Sequence, residues 1–391
     1  MFELFGAFLK LGLTSFGGPV AHIGYFRDEF VRKRHWLDDA AYADLVALCQ
    51  FLPGPASSQM VFALGMQQAG LVGAIIASLC FTLPSAMLMI LFGYGVSVLG
   101  DLHGAGWLHG LKLAAVAVVA QAVWGMGHKL CPDRTRLTVG LLAAALLLVF
   151  PGALTQIGVI AGGAAIGWWL YRKSIVPLIT TEKASFKNHH WAIAALALFA
   201  LLLVLLPWLA SVTRLKSIAV FDSFYRAGSL VFGGGHVVLP LLRAEVVPPG
   251  WLSDDTFLAG YGAAQALPGP LFTFSAYLGT VMQTGSHAWL LGTWCLIAVF
   301  LPGWLLIGGA LPFWHQLRSK TWTQAALQGA NAAVVGLLLA ALYNPVLIEG
   351  IRNVRDFMVA LVAFTLLQVW NVAPWMVVLV TALVGEWMGG R

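Results

Sequence analysis

The sequence predicts an all-α polytopic membrane protein with two homologous halves. Hydrophobic residues make up 60% of the 391-residue chain and charged residues 10%, whereas soluble domains carry about 25% charged residues. Many apolar runs also reach the ~20 residues that a helix needs to cross a bilayer. Interruptions in matching places of the two halves add a third observation, which predicts an inverted-topology repeat with broken or re-entrant helices.

The interruptions are motifs rich in glycine and proline inside apolar segments. Proline lacks an N–H and clashes with the preceding helical turn, and glycine weakens a helix interior, so the helices should break there. The first half contains Phe16-Gly17-Gly18-Pro19 and Leu52-Pro53-Gly54-Pro55, and the second half contains Phe232-Gly233-Gly234-Gly235 and Leu267-Pro268-Gly269-Pro270.

Apolar stretches separated by charged loops predict the elements of the first half in chain order. Residues 2–26 form a broken segment, and a helix over 40–51 stops at the second break before another piece runs to about 68. Single spans follow at about 71–98, 107–127, 137–150 and 152–171. Pro84 predicts a kink in the first of these, and Pro151-Gly152 predicts a tight turn between the last two.

A basic, polar stretch over 172–190 predicts a linker between the halves. A single span at 191–211 then precedes broken segments at 217–242 and 253–281, and spans follow at 287–311, 322–343, 357–372 and 374–388. We therefore divide the chain into an N-terminal repeat, 1–171, a basic cytoplasmic linker with a connecting helix, 172–216, and a C-terminal repeat, 217–391.

The two halves align residue by residue around the breaks. Phe8 through Gly24 match Phe224 through Pro240 at an offset of 216. After the loss of one residue, Gln50 through Pro55 match Gln265 through Pro270, and Leu83-Pro84 later matches Leu301-Pro302. Chance could supply one such match but not this ordered series.

Charge in the loops predicts that the halves are inverted relative to each other. Loop 27–37 carries four Lys or Arg residues, whereas its counterpart 243–252 carries Arg243 alone, so the first loop should be cytoplasmic. The cations Arg214, Lys216, Arg352 and Arg355 would fall outside and count against this topology. Full crossing and re-entry of the broken segments both stay open. Inverted repeats with broken helices are typical of secondary transporters, whose sites lie at the repeat interface.

The breaks are candidate anion-binding sites, because the start of a helix offers free N–H groups and a positive dipole end. Taken singly, each motif is better explained by packing or a kink, but four symmetric breaks favour a site. Hydroxyl and amide groups follow the Pro-Gly-Pro motifs. The predicted substrate-binding residues are Gly17, Gly18, Pro19, Pro53, Gly54, Pro55, Ser57, Ser58, Gln59, Gly233, Gly234, Gly235, Pro268, Gly269, Pro270 and Thr273.

Charged residues near the breaks are functional candidates, because such groups are costly in a membrane. The aligned pair Lys10 and Arg226 could attract an anion. The aligned sets Arg27 with Glu29, and Arg243 with Glu245, are either ion pairs at helix ends or gates.

Four further titratable residues have two interpretations each. Asp44 and Asp222 either carry protons or face water. His22 and His236 flank the glycine motifs and either couple protons or are ordinary hydrogen-bonded histidines.

Sequence motifs of enzymes are absent. The chain has no Walker A, HExxH or GxSxG motif and no ligand set of cysteines, so we expect no catalytic residues, cofactor or metal. The four cysteines should pack as small hydrophobic residues. The net charge of +6 indicates cytoplasmic loops and not nucleic-acid binding. The start Met1–Leu4 lacks a basic region, so we expect no removable signal peptide.

Two long stretches carry a family resemblance. SFGGPVAHIGYFRDEF with HWLDDAAYADLVALCQFLPGPASSQ resembles the first half of the chromate ion transporter family, and VFGGGHVVLPLLRAEVVPPGWLSDDTFLAGYGAAQALPGPLFTFSAYLG resembles its second half. The resemblance covers nearly the whole chain and matches the long, two-domain members. Ala56, Ser58 and His236 depart from the family pattern.

The resemblance implies a proton-driven exporter of chromate that gives chromate resistance in the inner membrane of a bacterium. Sulfate, which is isosteric with chromate, is the obvious competitor or alternative substrate. A transporter of sulfate or another oxyanion and an anion channel stay open as alternatives, as does a homodimer.

Overall fold

The computed structural model describes residues 1–99, 105–172, 189–232, 235–283, 285–314 and 320–389, and these contain helices and no strands. Two predicted binding residues, Gly233 and Gly234, lie outside the described residues, as does the linker from 173 to 188. Six of the described helices are long and apolar enough to cross a membrane.

The helices follow the predicted order in both halves. The first half contains α1 (Phe2–Thr14), α2 (Gly18–Arg27), α3 (Asp39–Phe51), α4 (Ala56–Leu99), α5 (Gly106–Leu130), α6 (Arg134–Val149) and α7 (Ala153–Tyr171), and α8 (His189–Thr213) connects the halves. The second half contains α9 (Lys216–Ser229), α10 (Val238–Val246), α11 (Asp254–Ala264), α12 (Phe274–Val281), α13 (Ala288–Ala310), α14 (Thr321–Ala341), α15 (Val354–Gln368) and α16 (Pro374–Gly389).

Short turns extend several of these helices. A π-helical segment, Asp28–Lys33, continues α2, and another, Leu342–Leu347, follows α14. Turns of 3-10 helix, Gly235–Val237 and Leu271–Thr273, lead into α10 and α12.

Equivalent helices in the two halves begin with equivalent side-chain caps. Asp38 accepts a hydrogen bond from the N–H of Ala41 at the start of α3, and Ser253 accepts one from Thr256 at the start of α11. Such caps satisfy N–H groups that have no acceptor within the helix. The repeat therefore extends to the local signals that start the helices.

Helix α4 reverses direction at Gly70, which has a φ of 61°. We call residues 56–68 its first arm and residues 71–99 its second arm. A Cβ on Gly65 would lie 2.5 Å from the carbonyl oxygen of Gly73, so the backbones of the two arms touch. Glycine at both positions makes this contact possible.

The broken segments fold back on themselves. Each is a helical hairpin with its break at the tip: hairpin 1 is α1 with α2, hairpin 2 is α3 with the first arm of α4, hairpin 3 is α9 with α10, and hairpin 4 is α11 with α12.

Contacts between the arms, far from the tips, establish this geometry. Glu3 at the start of α1 accepts a hydrogen bond from Arg34, which follows α2, at 2.8 Å. The start and the end of hairpin 1 therefore lie on the same side of the molecule. In hairpin 4, the Tyr277 hydroxyl donates to the carbonyl oxygen of Thr256 at 2.9 Å, so α12 returns alongside α11.

Hairpins 2 and 4 approach each other from opposite directions along α13. Gly292, in the first half of α13, packs against α12. Further along, Gly303 packs against Pro55 at the tip of hairpin 2, and Gly308 contacts Phe62 in the body of hairpin 2. The tips therefore meet near the middle of α13.

The second arm of α4 is the repeat counterpart of α13, and the same sequence of contacts occurs along it. Phe81 lies against Gly12 of hairpin 1, Ser85 lies against Gly269 at the tip of hairpin 4, and Gly93 packs against α12. Hairpins 1 and 2 therefore enter from one side and hairpins 3 and 4 from the other, which is the predicted inversion.

The remaining helices interlock the two halves through small residues. Helix α5 of the first half packs on α15 and α16 of the second, and α14 of the second packs on α6 and α7 of the first. Gly106 lies against Gly385, and Gly167 lies against Gly329, so close that a Cβ would overlap the facing backbone. Small residues are the usual means of close helix packing in membranes. All four cysteines are buried, as expected of small hydrophobic residues.

Candidate functional site

The four tips are joined by two backbone hydrogen bonds that the repeat relates to each other. The N–H of Gly54 in hairpin 2 donates to the carbonyl oxygen of Val231 in hairpin 3 at 2.7 Å. The N–H of Gly269 in hairpin 4 donates to the carbonyl oxygen of Ser15 in hairpin 1 at 2.8 Å. Each Pro-Gly-Pro tip thus bonds to a glycine-motif tip of the opposite half.

Glycine is required at both donor positions for two reasons. The φ of Gly54 is 125° and that of Gly269 is 92°, and side chains make such backbone conformations costly. A Cβ on Gly54 would lie 2.8 Å from the Gln59 amide nitrogen, and one on Gly269 would lie 2.8 Å from the Ser85 hydroxyl.

A small cavity of about 10 Å³ lies where the tips meet. Every hairpin contributes to its wall, and the lining residues are His22, Pro55, Ser57, Ser58, Gly235, Pro270, Leu271 and Phe272. A volume of this size holds about one water molecule. None of these lining residues carries a carboxylate.

Three polar atoms of the lining residues are buried without a partner in the described part of the chain. They are the hydroxyls of Ser57 and Ser58 and the Nδ1 atom of His22. Buried polar groups in proteins are almost always hydrogen-bonded. The cluster therefore indicates a partner that comes from outside the protein.

Helix starts add backbone donors around the cavity. Helix α4 begins at Ala56, and 3-10 turns begin at Gly235 and Leu271 beside the cavity. Helix α2 begins at Gly18, four residues before His22, with Gly17 in the left-handed region at a φ of 94°. The first N–H groups of a helix lack acceptors within it, and its dipole is positive there. The arrangement suits an anion with several acceptor oxygens.

Other predicted binding residues shape the tips without lining the cavity. The Gln59 amide donates to the carbonyl oxygens of Pro53 at 2.8 Å and Gly303 at 3.4 Å, so it braces the second tip. The Thr273 hydroxyl donates to the carbonyl oxygen of Pro270 at 2.9 Å, so it is committed within its own turn. Pro268 lies in the turn before Gly269.

The cations that were expected to attract an anion are neutralised by carboxylates. Lys10 bonds to Glu29 at 3.1 Å, and Arg226 bonds to Glu245 at 2.8 Å, in equivalent positions of the two halves. Burial alone would raise the pKa of Glu29, but hydrogen bonds from Arg34 and Lys10 together hold the pKa below its ordinary value. The first pair therefore joins the two arms of hairpin 1, and the second joins the two arms of hairpin 3.

The aligned arginines also form equivalent ion pairs. Arg27 bonds to Asp39 at 2.8 Å, and Arg243 bonds to Asp254 at 2.6 Å. The first pair joins hairpin 1 to hairpin 2, and the second joins hairpin 3 to hairpin 4. The sequence suggested Glu29 and Glu245 as partners of these arginines, and the structure instead pairs them with Asp39 and Asp254.

Asp44 and His236 lie outside the cavity lining. Asp44 accepts a hydrogen bond from the indole N–H of Trp314 at 3.0 Å. His236 shares a hydrogen bond of 2.7 Å between its Nδ1 atom and the Tyr261 hydroxyl. Both side chains thus connect helices in the structure described.

Sequence reasoning missed a buried charged cluster on α5. Lys112, with 4% of its side chain exposed, bonds to Asp255 of hairpin 4, and His109 lies 3.0 Å from Asp356 at the start of α15. A lysine inside the predicted span 107–127 was the available signal, because intramembrane charges are rare. Among the described residues, no group of His, Cys, Asp and Glu is placed to hold a metal ion.

The fold defines a class: a multi-pass membrane protein with two homologous halves in an inverted repeat, each half containing two helical hairpins. The sequence model described as "Chromate transporter" matches residues 2–168 and 218–386, once in each half. The chain therefore belongs to the chromate transporter family.

Similar proteins cover most of the chain. A chromate transport protein of Pseudomonas aeruginosa is 30% identical over 86% of this chain and 79% of its own length. A probable chromate transport protein of Synechococcus elongatus is 28% identical over 93% of this chain and 88% of its own length. A chromate transport protein of Cupriavidus metallidurans is 27% identical over 97% of this chain and 90% of its own length. No solved structure matches the chain.

Proposed function

We propose that this chain exports chromate across the inner membrane of a bacterium, that it thereby gives chromate resistance, and that the proton-motive force drives it. Relatives named as chromate transport proteins support the substrate. The observation that carries the mechanism is the cavity at the four tips, where unpartnered donors meet helix starts.

Chromate is a tetrahedral dianion, so it accepts hydrogen bonds in several directions and donates none. The hydroxyls of Ser57 and Ser58 and the backbone N–H groups at the start of α4 supply donors from one side. The N–H groups around Gly235 and Leu271 supply donors from the other. Hydrogen bonds to charged acceptors contribute about 1.5–3 kcal/mol each, so every donor that reaches a chromate oxygen strengthens its binding.

Access to the cavity requires the tips to separate, because about 10 Å³ is less space than a tetrahedral oxyanion needs. The backbone hydrogen bonds from Gly54 to Val231 and from Gly269 to Ser15 would then break. Outward movement of hairpins 1 and 2 would open a path to the cytoplasm, and movement of hairpins 3 and 4 would open the opposite path. Alternation between these movements is a mechanism of transport.

The membrane potential favours export of a dianion. One charge gains about 2.3 kcal/mol per 100 mV, so two charges gain about 5 kcal/mol when they leave a negative interior. The electrical part of the proton-motive force is therefore a sufficient source of energy, and a nucleotide site is not required.

Flux measurements in everted membrane vesicles test the proposal. Export from cells corresponds to uptake into these vesicles, so energised vesicles that contain the protein should accumulate radiolabelled chromate. The rate should saturate with chromate concentration and fall when an uncoupler removes the gradient. Accumulation of labelled sulfate in right-side-out vesicles, without chromate uptake in everted ones, would instead indicate sulfate import. Flux that does not saturate would indicate a channel.

A further inference from the structure

We propose that His22 couples the binding of one proton to the binding of one anion in the tip cavity. The proposal rests on the function proposed above. Its basis is the pattern of hydrogen bonds around the two nitrogens of a wholly buried imidazole ring.

The tautomer of His22 follows from its protein partner. Its Nε2 atom lies 3.1 Å from the carbonyl oxygen of Ser15. A carbonyl oxygen only accepts hydrogen bonds, so Nε2 must carry the hydrogen. In the neutral ring the other nitrogen, Nδ1, then has a lone pair and no hydrogen.

Nδ1 is the atom of the ring that is left for a ligand. It is buried and has no partner in the described residues, and His22 lines the cavity with Ser57 and Ser58. A fully deprotonated oxyanion offers lone pairs only, so the lone pair of neutral His22 would repel it. Protonated His22 would instead present an N–H donor and a positive charge. The anion therefore favours the protonated ring, and proton and anion bind together.

The neighbours of His22 leave its charge uncompensated until an anion is present. The rings of Phe26 and Phe81 lie 6.0 Å and 5.5 Å from the imidazole ring, and the cavity lining has no other titratable group.

Titratable and charged groups do occur on α2 and on the elements packed against it, and none of their described bonds is to His22. Lys10 bonds to Glu29, Arg27 to Asp39, Lys33 and Arg32 to Asp28, and Arg34 to Glu3 and Glu29. Tyr42 bonds to the Ile23 carbonyl oxygen, Tyr94 to the Ser286 carbonyl oxygen and Asp44 to Trp314. The remaining groups are Tyr25, Asp38, Cys49 and Cys80.

The repeat limits the coupling to one proton. The position equivalent to His22 in the second half is Val238, at the offset of 216, and the position equivalent to Ser57 is Phe272, at 215. The polar side chains of the cavity thus come from the first half alone. One proton carried with a dianion leaves a net charge of −1 to cross the membrane. An inside-negative potential then still drives export, with about 2.3 kcal/mol per 100 mV, about half of what the bare dianion gains, and a pH gradient that is acidic outside opposes it.

Proton uptake on anion binding tests the proposal in the purified, detergent-solubilised protein. Chromate or sulfate is added in weak buffer with a pH indicator, and affinity is measured at several pH values. At pH values where His22 of the anion-free protein is neutral, wild type should take up about one proton for each anion that binds. The affinity for the anion should fall by up to about tenfold for each unit by which the pH is raised. Sulfate stays a dianion throughout, so it separates the titration of His22 from that of chromate.

The variant His22→Asn places an amide near the Nδ1 position, where it donates without titrating. It should bind sulfate with an affinity that does not change with pH and without proton uptake. The control His236→Asn removes a histidine bonded to Tyr261 and should keep the wild-type pH dependence.

Two results would overturn the proposal. One is saturating sulfate binding to wild type without proton uptake at any pH where His22 of the anion-free protein is neutral. This result requires no variant. The other is an unchanged pH slope in His22→Asn. Either would leave the proposed export intact if vesicles still accumulate chromate. Failure of folded wild type to bind both anions would overturn the binding site and this proposal together.

Discussion

The N–H of Gly269 lies 2.8 Å from the carbonyl oxygen of Ser15, although 254 residues separate the two in the chain (269 − 15). The repeat places the equivalent bond between Gly54 and Val231 at 2.7 Å. Together these bonds close the tip cavity from both halves. In the proposed mechanism these hydrogen bonds break when a path opens, so we expect transport to be sensitive to changes at both glycines.

Gly269→Ala should reduce chromate transport at least about tenfold, because its Cβ would meet the Ser85 hydroxyl at 2.8 Å beside the bond to Ser15. The matched control is Gly285→Ala. Gly285 has a φ of 97°, close to the 92° of Gly269, but its Cβ would meet no atom within 4 Å. Both variants carry a similar backbone penalty of about 1 kcal/mol. Initial rates in everted vesicles, normalised to protein in the membrane, measure the difference; equal rates would contradict the prediction.

Ser57→Ala and Ser58→Ala should each weaken chromate binding about tenfold or more, because a hydrogen bond to a charged acceptor contributes about 1.5–3 kcal/mol. Ser275→Ala is the control, since the Ser275 hydroxyl is buried nearby and already donates to the Phe272 carbonyl oxygen at 2.7 Å. Equilibrium binding of labelled chromate to purified protein gives the affinities. Wild-type affinity in both cavity variants would place the anion elsewhere.

Glu29→Gln should destabilise the protein at neutral pH by about 1–3 kcal/mol, because it removes charged hydrogen bonds from a side chain that is 6% exposed. The pKa of Glu29 is lowered in the folded state, so its contribution is present above the unfolded value of about 4.3 and is lost as pH falls through the folded value. The difference in Tm between wild type and variant should therefore shrink in acid.

Glu3→Gln is the control for this experiment. Glu3 bonds to Arg34 as well, but its side chain is 68% exposed, and exposed pairs contribute about 0–1 kcal/mol. Its effect on Tm should be small at every pH. A Tm difference for Glu29→Gln that persisted undiminished in strong acid would show that charge is not the cause.

Reporter cysteines should confirm the inverted hairpins. The two substitutions are Arg32→Cys and Ser286→Cys. Arg32 follows hairpin 1 in the chain and Ser286 follows hairpin 4, and both side chains are exposed. The four native cysteines are buried and should give little background. An impermeant maleimide should label Ser286→Cys in intact cells and Arg32→Cys in everted vesicles. Labelling of both from the same side would contradict inversion.

The sequence was sufficient to predict the repeat, the places of the breaks and the convergence of the breaks at one site. Local chemistry explains the breaks, because consecutive Pro53, Gly54 and Pro55 strongly disfavour a continuous helix. Inversion then brings equivalent tips together at the repeat interface. The hairpins themselves were not predictable, because a continuous broken segment and a hairpin need similar numbers of apolar residues.

The sequence also could not predict which residues pair with each other in the ion pairs. Glu29 bonds to Lys10 and Arg34 and not to Arg27, because the rotation of α2 directs Arg27 toward Asp39. Thr273 looked equivalent to the serines after the first Pro-Gly-Pro motif, but its hydroxyl bonds to a carbonyl oxygen in its own turn. Such local competition is typical of serine and threonine. The pair of Lys112 with Asp255 has no counterpart in the repeat that could have indicated it.

Crystals of the chromate complex test the central claim most directly, because anomalous scattering locates chromium without reference to the protein. The account predicts a chromium peak between the start of α4 and residues 270–272, within hydrogen-bonding reach of Ser57 and Ser58 through the chromate oxygens. A peak only elsewhere, for example beside Lys10 or Arg226, with none at the tips, would contradict it.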